Sequence, residues 1–242
     1  MSKPWQSLEE IPGLVALLPV WRRRAGPEHF PAFRNLCLQV SPKIARLFPC
    51  PLATECAYRI IHLPAALNLL PSTINSRLSA STVAIGFCQR DPHRCEHAQL
   101  SRDDITALQL NWQKLGREIC KAFGLETKFS KLPIPNTVQI GTWSADSVPV
   151  VLTIQTERPR FRFACSELVA LLNQKFILLA PTATFADVRS TAMLNRVGAQ
   201  LFTLETTVRL TDHVYTGRER EPPSRRLYSA HKSRKPDLRP ER

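Results

Sequence analysis

Four of the seven cysteines fall into two close pairs, Cys50-x5-Cys56 and Cys88-x6-Cys95, and no other feature of the sequence restricts the fold so much. Turn-forming residues stand beside each pair: Pro49 and Pro51 at the first, Asp91 and Pro92 at the second. Between the pairs, Tyr58 to Leu63 and Thr82 to Phe87 are β-branched or apolar and read as strands. Strands leaving the first pair and entering the second would bring two thiol-bearing turns together. A structural zinc ion asks for four soft ligands in a tetrahedron, and two such turns supply them. The region has few residues with which to build a core, so a metal would act as a staple.

In general layout this constellation resembles a zinc ribbon, although loops of five and six residues are longer than the usual two to four. The expectation is one Zn2+ on Cys50, Cys56, Cys88 and Cys95, with His93 and His97 able to replace a cysteine. The competing reading is four reduced, unliganded thiols. An odd cysteine count favours a reducing compartment. The apolar run Ile11 to Val20 precedes its positive charges at Arg22, Arg23 and Arg24, the reverse of an export signal, so the expected location is cytoplasmic. Cys120 and Cys165 fall on apolar helix faces and read as core residues.

The 242 residues carry a formal net charge of +13, and its distribution matters more than its total. Residues 1–49 hold 7 Lys plus Arg against 3 Asp plus Glu, and residues 217–242 hold 9 against 4. The stretch between is nearly neutral. Basic ends favour a polyanionic partner, with nucleic acid or a nucleoprotein complex first. The candidate contacts are Arg22, Arg23 and Arg24 in one cluster and Arg225, Arg226, Lys232, Arg234 and Lys235 in another. No apolar run reaches the roughly 20 residues of a membrane helix, so no membrane partner is expected.

The expected fold class is α+β or α/β: an irregular, zinc-stapled N-terminal region and then a small domain with a mixed sheet. Residues 1–49 carry seven prolines and read as short basic helices and turns, with helical turns either side of Ser41-Pro42. Residues 50–100 form the paired-cysteine, zinc-ribbon-like region. Residues 101–124 read as one amphipathic linking helix, capped by Ser101 and striped by Ile105, Leu108, Trp112, Leu115, Ile119 and Phe123. Glu126 to Asn136, with Pro133 and Pro135, reads as a connector. Residues 137–216 have the order β-β-α-β-α-β of an α/β domain, its second helix opening at Thr184 and Val208 to Leu210 extending the sheet. Residues 217–242 read as a disordered basic tail.

Catalytic signatures are sparse. With 8 glycines in the chain, neither a dinucleotide fingerprint nor a phosphate loop can be written. The α/β element order resembles that of restriction-endonuclease-like cores, but around Asp146, Gln155 and Glu157 the second acid and the lysine of such sites are missing. Thr182 and Thr184, after a buried strand, could hold an anion, or simply cap a helix. The sequence therefore favours a non-catalytic accessory subunit or adaptor that binds nucleic acid or a nucleoprotein complex. A degenerate metal-dependent nuclease and a protein-interaction regulatory subunit with a protein partner are the alternatives.

Overall fold

A computed structural model describes residues 3–50, 56–63, 78–89, 95–143, 146–210 and 215–217. It contains two compact units, residues 10–111 and residues 1–9 with 112–242. The expected basic tail with Arg225, Arg226, Lys232, Arg234 and Lys235 lies outside the described residues, as do Asp91, Pro92 and His93.

After helix α1 (Lys3–Glu10), the unit of residues 10–111 runs through β1 (Val15–Leu17), α2 (Leu18–Ala25), α3 (Phe30–Cys37) and β2 (Leu38–Val40). It continues with β3 (Leu47–Pro49), β4 (Ala57–His62), β5 (Thr82–Cys88), β6 (Ala98–Ser101), α4 (Arg102–Ile105) and β7 (Ala107–Leu110). Its prolines start helices more than they break them, because Pro19 and Pro31 sit in the first turns of α2 and α3. There the missing N–H costs no hydrogen bond. Two antiparallel sheets result, ordered β1-β7-β2 and β3-β4-β5-β6. Trp21 is fully buried, packs on Phe33 and donates its indole N–H to the Leu108 carbonyl at 3.0 Å.

The single helix expected over 101–124 is a correction. Ser101 does cap a helix, in a capping box with Asp104, but that helix ends at Ile105. Ala107–Leu110 is instead the central strand of the three-stranded sheet, and a second helix, α5 (Trp112–Phe123), follows. Ala-Leu-Gln-Leu satisfies a helical stripe and a strand alternation equally. Strand partners on both edges, β1 and β2, decide for the strand. Residues beyond Asn35 differ for the same reason: the chain runs through α3 into β2, which pairs with β7, and no helix follows Ser41.

The second unit follows α5 with β8 (Glu126–Lys131), β9 (Thr137–Trp143), β10 (Val148–Thr153), α6 (Arg158–Leu172), β11 (Ile177–Ala180), α7 (Val188–Arg196) and β12 (Gln200–Thr203). The turn of helix α8 (Leu204–Thr207) then leads to β13 (Val208–Leu210) and β14 (Tyr215–Gly217). The sheet order is β12-β11-β10-β9-β8, with β10, β11 and β12 parallel and β8, β9 and β10 antiparallel. This is the expected mixed sheet with β-β-α-β-α-β connectivity, and the protein is of the α+β class. β10 is buried at every position, and α6 and α7 pack their apolar faces around Val151, Leu178 and Ala180. The supposed connector contains β8, an exposed edge strand whose Glu, Thr, Lys and Ser hide its strand character in the sequence. Among the described residues, β13 pairs only with β14 and does not extend the main sheet. Helix α7 is capped by Asp187 with Ser190, not by Thr184.

Candidate metal centre

The thiol centre is built by the sheet β3-β4-β5-β6. Cys50 follows β3, Cys56 precedes β4, Cys88 ends β5, and Cys95 lies three residues before β6. Antiparallel pairing of β3 with β4 sets Pro49 opposite Ala57, and the Cys50 amide donates to the Cys56 carbonyl at 3.1 Å. Pairing of β4 with β5 puts Cys88 opposite Tyr58. The two sequence pairs are thereby brought to one end of the sheet.

There the sulfurs meet. Cys50 Sγ lies 3.6 Å from Cys95 Sγ, and Cys56 Sγ lies 3.4 Å from Cys88 Sγ. Cys50, Cys56 and Cys95 all lie within 4.8 Å of one another, and Cys88 joins them at the Cys56 corner. With metal–sulfur bonds of about 2.3 Å, a tetrahedral ion holds its sulfurs about 3.8 Å apart. The observed separations are those of a group that could hold a metal ion.

Burial raises the Cys56 thiol to about 12, reinforced by hydrogen bonds among the neighbouring thiols. The Cys95 thiol is raised as well, first by its hydrogen bond with Cys50 and then by burial. Thiols held this way stay protonated until a cation replaces the protons, so metal uptake by the centre releases protons.

Sequence reasoning missed Tyr58. It is 3% exposed and packs with Cys50, Cys56 and Cys88. Burial, followed by hydrogen bonding with Cys50, raises its phenol and keeps the hydroxyl a donor beside the sulfurs. The ring needs a neighbour with no side chain: a Cβ added at Gly86 would stand 3.0 Å from Tyr58 Cβ. Cys56, Tyr58 and Ile60 are all buried, so the two-residue alternation leading out of the first cysteine pair was the available signal. His97, expected as a substitute ligand, is drawn elsewhere, and its ring lies 4.5 Å from that of Phe87.

The other candidate residues have separate fates. Arg22, Arg23 and Arg24 are exposed in the last turn of α2. Arg22 lies over the Phe30 ring at 5.7 Å, and Arg24 donates to Glu10 at 2.9 Å. Asp146 pairs with Lys175 at the start of β10, whereas Gln155 and Glu157 lie beyond its other end. Strands advance about 3.3 Å per residue, which separates Asp146 from Gln155 by on the order of 20 Å. These residues do not converge on one ion. The Gln155 amide is held by Pro135 O and Thr153 Oγ1, each at 2.9 Å, and Glu157 faces Arg160.

The anion site considered at Thr182 and Thr184 is filled from within. Glu9 accepts the amide and hydroxyl of Thr182, Glu205 accepts the Ala183 amide, and Thr182 Oγ1 accepts the Thr184 amide. Cys37, Cys120 and Cys165 are fully buried core thiols. Cys37 donates to Phe33 O, Cys120 donates to Ile140 O, and burial raises Cys120 to about 11 and Cys165 to about 12.

No protein-family model matches the chain, and neither a curated protein nor a solved structure is significantly similar to it. Among the described residues, no helix is long and apolar enough to cross a membrane.

Proposed function

We propose that this protein is a zinc-stapled, non-catalytic accessory or adaptor protein that associates with nucleic acid or a nucleoprotein complex. The observation that carries the reading is the gathering of four thiols in a sheet with little apolar core. Around that sheet the buried clusters are small: Ile60, Ala84 and Leu100 in one, and Ile85 with its half-buried neighbours in another. An all-sulfur donor set selects a soft ion, and Zn2+ suits a tetrahedral, redox-inert staple.

The basic residues support the choice of partner. The unit that holds the thiols also exposes Arg22, Arg23, Arg24, Lys43, Arg46 and Arg59. Arg59 stands opposite Leu47 on the strand pair β3–β4, and Arg46 immediately precedes β3. With a net charge of +13, such a surface suits phosphates. Phosphate contacts of this kind position a partner without reading its sequence.

The test is made on the full-length protein purified without chelator. Elemental analysis is expected to find one zinc per chain. Affinity for duplex and single-stranded probes, measured at two salt concentrations, should fall with a log–log slope of about −0.9 per phosphate contacted on the duplex. Removing residues 217–242, or replacing Arg22 and Arg23 by alanine, should weaken binding to all sequences alike and flatten that slope. Absence of salt-sensitive binding to either probe would overturn the nucleic-acid reading in favour of a protein-interaction subunit.

A further inference from the structure

The four sulfurs are not equally accessible. Cys50, Cys56 and Cys88 are buried, at 7%, 6% and 3% exposure, whereas Cys95 is only half-buried. They are also not equally spaced: Cys95 has Cys50 at 3.6 Å, and Cys56 has Cys88 at 3.4 Å. Oxidation of a thiol requires thiolate character, access for the oxidant and a second thiol within reach. A metal-bound sulfur is already deprotonated. Of the four, Cys95 combines access with a close neighbour.

We propose that Cys95 is a peroxide-reactive thiol and Cys50 its resolving partner, so that oxidation of this pair expels the metal. The Cys95 thiolate attacks one oxygen of hydrogen peroxide, the O–O bond breaks, and hydroxide leaves. Cys95 is then a sulfenic acid. The Cys50 thiolate attacks the Cys95 sulfur, the S–O bond breaks, and a second hydroxide leaves. Two thiolates have lost two electrons in forming one S–S bond, and peroxide has gained them. Both hydroxides take protons from solvent and become water.

A disulfide bond is about 2.05 Å long, so the two sulfurs need to close by only about 1.5 Å. The metal then keeps Cys56 and Cys88 and loses the other two thiolates. Both remaining thiols are buried, which delays their own oxidation. Metal release and the thiolate state of Cys95 rest on the zinc reading above, whereas the choice of Cys95 and Cys50 as the reacting pair stands on exposure and distance.

The experiment uses the full-length protein, purified under reducing conditions and assayed for zinc before oxidation. Hydrogen peroxide is titrated in while a zinc-sensitive dye reports released metal. Dimedone traps sulfenic acid, and peptide mapping under non-reducing conditions identifies disulfides. The expected result is a dimedone adduct on Cys95, Cys50–Cys95 as the first disulfide, and one zinc released per such bond. Dithiothreitol with added zinc should restore both thiols and metal. In Cys50→Ser, the Cys95 sulfenic acid should accumulate, because its resolving thiol is gone.

Cys56–Cys88 as the first disulfide, an adduct on a different one of the four sulfurs, or a Cys50–Cys95 bond with zinc fully retained would overturn the inference. Failure of the zinc reading has its own signature. Protein that carries no metal, yet forms Cys50–Cys95 first, overturns the metal and supports the pairing. Protein that carries zinc, yet keeps Cys95 reduced, overturns the pairing and leaves the metal intact.

Discussion

The sulfur of Cys50 lies 3.6 Å from that of Cys95, although 45 residues separate the two in the chain. Neither residue belongs to the other's sequence pair. The close contacts cross between the pairs, Cys50 with Cys95 and Cys56 with Cys88, because antiparallel strands carry each thiol of the first turn past one of the second.

A metal on these thiols would stabilise their sheet by mass action. Free zinc at a hundredfold excess over its dissociation constant adds about 2.7 kcal/mol to stability. Chelation should therefore lower the Tm and expose the segment around β3 to β6 to protease, and stoichiometric zinc should reverse both. A Tm indifferent to chelator and to zinc would remove the staple from this account.

Asp146, Gln155 and Glu157 do not meet at one point, so magnesium- or manganese-dependent cleavage of DNA or RNA is not expected. Asp146→Ala removes the exposed pair with Lys175, a loss of about 0–1 kcal/mol. Metal-dependent cleavage by the wild-type protein, lost in that variant, would show the scaffold reading to be wrong.

Helix α5 lies close against β9. A Cβ at Gly141 would fall 2.4 Å from the Glu126 carbonyl oxygen and 2.9 Å from Cys120 Sγ. Because the nearest atom is backbone, it cannot rotate away. Gly141→Ala should destabilise the protein by at least the usual overpacking cost of about 1–3 kcal/mol, read by urea denaturation. Gly124→Ala serves as a comparison, since a Cβ there meets open space and only the positive φ opposes it.

Asp187 caps α7, accepts from the Ser190 amide and pairs with Arg162. The Ser190 amide first, and the Arg162 guanidinium next, hold its carboxyl down at about 2, against an ordinary value of 3.8. The carboxylate thus stabilises the fold fully above the ordinary value, and this contribution fades as pH falls from 3.8 towards 2. Asp187→Ala should lower the Tm at neutral pH and reduce its dependence on pH across that window. A variant whose Tm falls through the window as steeply as wild type would contradict the assignment.

Much of this fold was legible where local pattern and tertiary partners agree. The alternation in Thr137–Trp143, the apolar runs Val148–Thr153 and Ile177–Ala180, and the proline at the start of α6 specify the mixed sheet and its helices. The cysteine spacing likewise nominated the thiol centre. Elsewhere the pattern was ambiguous. Ala107–Leu110 carries a stripe that fits two periods, and the strands on either side of it decided which one applied. β8 is an edge strand dominated by polar side chains, so its pairing with β9 leaves almost no mark on its composition.

By itself, then, the sequence determined the elements whose own periodicity is unambiguous, the charge, and which four cysteines gather into one cluster. Tertiary structure alone decided which sulfurs touch, that Tyr58 backs them, and that Glu9 fills the loop after β11. Local propensity acts over a few neighbouring residues, whereas each of these relationships joins positions far apart in the chain. Their geometry follows from strand register and helix docking, which emerge only when distant segments pack.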